Sequence, residues 1–167
     1  MTTLHATPYN IDAAGFYFEN ADEYTDKSSS HVDRFGNLVE EFEIQFIEGD
    51  DAQLFNACDI NQCNIGRWFD EIECLDDHEK LSLYFLLNSG YMLDSAIEKL
   101  NEPCISECSL KDAAAELFDE CYASAIPENL HQYIDYDAFA RDLEMGGDMV
   151  EFEYHNLTYT CTNASGI

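Results

Sequence analysis

The sequence predicts an α+β fold: short strands toward the N-terminal end, a central helical bundle, and C-terminal helices followed by a β-hairpin. Three observations carry this. EEFEIQFIEGDD (40–51) alternates, with Phe42, Ile44 and Phe46 on one side and Glu41, Glu43 and Gln45 on the other; period two marks a half-buried strand. Between residues 65 and 145 the apolar residues recur at helical spacing instead. MVEFEYHNLTYTCT (149–162) returns to alternation. Strands, then helices, then a helix and hairpin is not the repeated β-α-β order of a parallel sheet.

Taken in order, GFYFE (15–19) reads as a short strand, and the polar stretch 20–37 as one short helix running into a loop. The strand over 40–51 leaves through EGDD. In NIGRWFDEIECL (64–75), Ile65, Trp68, Phe69 and Ile72 fall at i, i+3, i+4 and i+7 and form one apolar stripe. DDHEKLSLYFLLNSG (76–90) opens with Asp76 and Glu79 at capping-box spacing and closes at Gly90. Its lack of acids between Glu79 and Asp94 places it at the buried centre. LDSAIEKLNEP (93–103) is a short helix stopped by Pro103. SLKDAAAELFDECYAS (109–124) has Ser109 and Asp112 at cap positions, with Leu110, Ala113, Ala114, Leu117, Phe118 and Cys121 as its apolar face. After a turn at 126–134, DYDAFARDLEM (135–145) is a helix with Tyr136, Phe139, Ala140 and Leu143 inward and an Asp137–Arg141 pair at i,i+4. GGD breaks it, and the last hairpin turns at His155–Asn156. The expected subdomains are 1–58 with strands, 59–103 helical, and 104–167 mixed.

The chain holds 35 acidic and 7 basic residues, a formal net charge of −28. Such a charge opposes compaction by self-repulsion, and it disfavours nucleic acid and anionic membranes as partners. A basic groove on another protein is the natural complement. No run reaches the length of a membrane span. The opening MTTLHATPYNIDAAG lacks a basic n-region and an apolar h-region. With seven cysteines, an odd number, a reduced cytoplasmic setting is expected.

Motifs for site chemistry are weak. Cys58-x4-Cys63 and Cys104-x3-Cys108 lack the tight spacing of a structural zinc knuckle, and no HExxH occurs. DINQCNIGRWFDE (59–71) begins like a calcium loop and departs from it at the glycine and the final glutamate positions. GxSxG, GxxxxGK[ST] and GxGxxG are absent. The acids run from Asp12 to Glu153 without a focus. No catalytic residue, metal or cofactor is expected. A distributed function remains: acids on one helix face recur every ~4.5–6 Å, comparable to the ~3.4 Å spacing of phosphates along a DNA strand. A salt-adapted acidic binding domain and a small metal-binding or hydrolytic module stand as alternatives.

IPENLHQYIDYDAFARDLEMGGDMVEF (126–152), GYMLDSAIEKL (90–100) and LKDAAAELFDE (110–120) resemble the ArdA antirestriction family of mobile genetic elements. The resemblance spans about residues 38–160 and is weak over the first 37. It implies a cytoplasmic, non-enzymatic mimic of B-form DNA, an elongated homodimer that evades host defence by occupying the DNA-binding groove of type I restriction–modification enzymes. The implied binding residues are the acids Asp70, Glu71, Glu73, Asp76, Asp77, Glu79, Glu98, Glu102, Asp112, Glu116, Asp119, Glu120, Asp135, Asp137, Asp142 and Glu144.

Overall fold

The computed structural model describes residues 1–167 and has the α+β class expected. Two compact units form, Met1–Lys80 and Leu81–Ile167.

In the first unit a three-stranded antiparallel sheet has the order β2-β1-β3, made of β1 (Thr3–Pro8), β2 (Phe16–Phe18) and β3 (Phe42–Glu48). The half-buried strand expected at 40–51 is β3, with Phe42 and Ile44 buried. Its neighbour β1 is not evident in the sequence. TLHATP is short and ends in proline, and it becomes a strand because it is paired on both sides, Ala6 lying opposite Phe16 and Ile44. Leu4 and Ala6 are fully buried there.

Helix α1 (Ala21–Ser29) lays Tyr24 against Phe18 and Phe42. It starts at Asn20, whose side chain accepts from the Glu23 amide, while the Glu23 carboxylate accepts from the Glu19 amide. Helix α2 (Ala52–Ala57) buries Leu54 and Phe55. The stripe at 65–72 is helical but not regular: α3 (Ile65–Arg67) runs into a π turn over Trp68–Ile72, closed by the Glu73 amide donating to the Trp68 carbonyl at 2.8 Å. The wider turn still buries Ile65, Trp68 and Ile72, with Trp68 edge-on to Phe46 and Phe55. Lys80 and Asp51 form an ion pair at 2.8 Å with both side chains largely shielded.

Helix α4 (Asp77–Asn88) opens on the expected capping box: the Glu79 amide donates to Asp76 and the Asp76 amide to Glu79. Leu81, Leu83, Phe85 and Leu86 are buried, and Gly90 ends the segment at φ +94°. In the second unit follow α5 (Leu93–Glu98), β4 (Ile105–Ser106), α6 (Leu110–Cys121), α7 (Tyr136–Gly146), β5 (Val150–Tyr154) and β6 (Leu157–Cys161). The sheet order is β4-β6-β5, all antiparallel. The hairpin turns at His155 and Asn156, both with positive φ (51° and 62°), the geometry of a type I′ turn. Helices α6 and α7 pack through Phe118 against Tyr136 and Phe139, ring centroids 5.6 Å apart in both pairs.

Two local expectations need correction. Cys121, assigned to the buried face of α6, is exposed: it is the last residue of the helix, and the contact with α7 at that end is made by its neighbour Tyr122, which meets Phe139. Asp137 pairs not with Arg141 but with Lys111 of α6, at 2.8 Å. The packing of the two helices brings a cation closer than the next turn of α7 does.

Candidate functional site

The acids are dispersed over both units. The first holds 19 acids and 4 bases and the second 16 acids and 3 bases, net −15 and −13. No group of three or more His, Cys, Asp or Glu side chains converges on a cation position. All seven cysteines are free thiols; burial pushes the Cys58 thiol up to about 12.

Burial sorts the acids first. Asp33 is the one buried carboxylate. It accepts from the Phe35 and Asn37 amides at 2.9 Å and from the side chains of Asn37 and Asn10. The Asn37 bonds, then that of Phe35, hold its carboxyl below the usual range although burial pushes the other way. It organises the 33–37 turn and presents no charge to a partner.

The sixteen acids named from the sequence all reach solvent: fourteen are exposed, and Glu73 and Glu79 are half-buried. Hydrogen bonding divides them further. Several have folding roles. Glu73 accepts from the Thr2 amide, Asp76 and Glu79 cap α4, Asp112 pairs with the cap residue Ser109 at 2.6 Å, and Asp135 caps α7 through the Ala138 amide. Asp119 accepts from the Tyr136 hydroxyl. Glu71, Glu102 and Asp137 are engaged by Arg67, Lys99 and Lys111. Their hydrogen bonds hold the Lys99 and Lys111 ammonium groups above the usual lysine range.

Seven remain: Asp70, Asp77, Glu98, Glu116, Glu120, Asp142 and Glu144. Their carboxylates have no hydrogen bond or ion pair within the chain. On α6, Asp112, Glu116, Asp119 and Glu120 share one flank, opposite the buried Ala113 and Ala114. Their field reaches the Cys108 thiol, which burial and then Glu116 and Asp112 raise.

The sequence-based set omitted exposed acids of the first unit, among them Glu40, Glu41, Glu43 and Glu48. They belong to β3 and its approach, where the resemblance begins, and no helical stripe marks them. Like the acids that were named they are exposed, and Glu43 is carried outward by a strand whose opposite side, with Phe42 and Ile44, is buried.

No curated protein matches the chain. The antirestriction protein (ArdA) family model matches residues 11–156 of the 167. The match begins well before the boundary near residue 38 that the sequence motifs suggested, so all but the first ten of the weakly matching 37 residues lie within it. With most of its length covered, the chain belongs to the ArdA family of antirestriction proteins.

Proposed function

We propose that the chain inhibits restriction as a mimic of B-form DNA, occupying the DNA-binding groove of a type I restriction–modification enzyme. It acts by occupancy and not by catalysis. The observation that carries this reading is the set of seven exposed carboxylates with no partner in the chain, on two units that are each strongly negative. Carboxylates without an internal partner are available to the lysines and arginines that otherwise contact phosphates. Those already engaged by Arg67, Lys99 and Lys111 offer less, because a groove cation must compete for them.

The working form is a cytoplasmic homodimer. Two chains of net charge −28 repel, so association requires an uncharged patch. Tyr122, Leu130, Tyr133 and Met145 are exposed apolar side chains in the C-terminal third and supply that surface.

The test is competition. A labelled DNA duplex bound to a type I methyltransferase core is titrated with the protein at moderate salt. Displacement at micromolar protein, weakening as salt rises, is the expected result. Failure to displace refutes mimicry; unfolding at low salt together with that failure points to salt adaptation instead.

A further inference from the structure

The N-terminal sheet leaves one long strand at its edge. In the order β2-β1-β3, only β1 pairs with β3. The Tyr9 amide donates to the Glu41 carbonyl, so the odd-numbered residues of this segment turn their backbone groups toward β1. The even-numbered ones face outward. Phe42 shows this directly: its amide donates to the side-chain oxygen of Gln62 at 2.8 Å. Gln62 thereby takes the place a neighbouring strand would hold. At the next rung, the amide and carbonyl of Ile44 point the same way, and no second strand pairs with them. The Ile44 side chain is buried on the core face, while its outward amide and carbonyl are left without the strand partner that ladder groups ordinarily have.

A cavity of about 300 Å³ lies at this place, lined by Phe42, Glu43 and Ile44 of β3 and by Phe55, Asp59 and Asn61 among others. Glu43 and Asp59 are exposed at its rim, and Glu40 and Glu41 are exposed just before it. We propose that the outer edge of β3 docks a short, extended, basic segment of a partner protein, which adds a strand to the sheet. The segment's backbone completes the Ile44 rung, and its lysine or arginine side chains meet Glu43 and Asp59. Strand addition reads backbone, with side chains supplying selectivity. It is thus a different mode of contact from the dispersed acidic surface, and neither Glu43 nor Asp59 belongs to the set assigned above.

Because a chain this acidic attracts any cationic peptide, the test separates backbone pairing from charge. Two fluorescent probes are titrated against the full-length protein: the peptide Arg-Val-Arg-Val-Arg, and the same peptide with every internal amide N-methylated. Both carry equal charge, but only the first can donate backbone hydrogen bonds. The unmethylated peptide is expected to bind about tenfold tighter and to slow solvent exchange of the Ile44 amide. Equal affinities, or an Ile44 amide unaffected by the peptide, overturn the proposal. So does an Ile44 amide already protected in a protein that sediments as a dimer, since a second copy would then hold the edge.

Discussion

Neutralising Glu116 and Glu120 on α6 should make the protein more stable and a weaker inhibitor at once. Neither carboxylate has a hydrogen bond or ion pair in the chain, so Glu116→Gln with Glu120→Gln removes no folding contact, and glutamine and glutamate have similar helix propensity. The double variant removes three like-charge pairs at helical contact spacing: Asp112–Glu116, Glu116–Asp119 and Glu116–Glu120. At about 0.2–0.5 kcal/mol each, the gain is about 0.6–1.5 kcal/mol, or roughly 1–6 °C in Tm for a chain of this length. Binding moves the other way. Two exposed charge contacts contribute about 0.4–2 kcal/mol, a loss of about two- to thirtyfold in affinity. The slope of log affinity against log salt should shrink by up to about 1.8, by analogy with two lost phosphates. Thermal unfolding measures the first effect; displacement of labelled DNA at about 50 and 200 mM salt measures the second. A variant that is less stable, or that inhibits as well as the parent at both salts, refutes the reasoning.

Three further outcomes follow from the geometry. Gly15→Ala should lower stability by about 1–3 kcal/mol in denaturant unfolding, because a Cβ there would lie 2.4 Å from the His5 ring and 2.7 Å from the Ala6 carbonyl oxygen. Asp33→Asn should flatten the acid limb of stability against pH. The Asp33 carboxyl is lowered in the fold, so its contribution is fully present above the unfolded value near pH ~4 and is lost as pH falls through the folded one. The difference between parent and variant unfolding curves should therefore vanish toward low pH. Asn156→Val places a β-branched residue at φ 62° in the hairpin turn and should cost about 1–2 kcal/mol, read as a fall in Tm.

Much of the fold is legible because local signals and tertiary contacts agree. The capping box at Asp76 and Glu79, the Ser109 cap of α6 and the turn at His155–Asn156 each rest on interactions within a few residues, and the alternation over 42–46 shows in the residue pattern itself although its pairing partner is distant. Elements defined by distant partners are not legible. β1 carries no pattern strong enough to announce it, and its pairing with β3 spans some forty residues. The π turn at Trp68–Ile72 shares the apolar spacing of an ordinary helix, and packing around Trp68 selects it. Asp137 had a cation one turn away in its own helix, yet the approach of α6 supplied Lys111.

For the acidic surface the division is similar. The composition alone determines that a large negative charge must face water, since few acids can be buried unpaired. The helical period determines which acids leave the apolar stripe. Sequence spacing says only in part which carboxylates are already in use: it marks the caps at Asp76, Glu79 and Asp112 but not the partners that come from distant elements. Asp112 and Glu116 stand four residues apart on one flank, but one is tied to a helix cap and the other is free. Asp137 looks as available as Asp142 until Lys111 of α6 is placed beside it, whereas Glu102 has its cation, Lys99, three residues away in the chain. Hydrogen bonds act over about 3 Å, so where the partner is far away in the chain, as for Asp137 with Lys111, Glu73 with Thr2 and Asp119 with Tyr136, only the tertiary structure decides which charges remain for a partner.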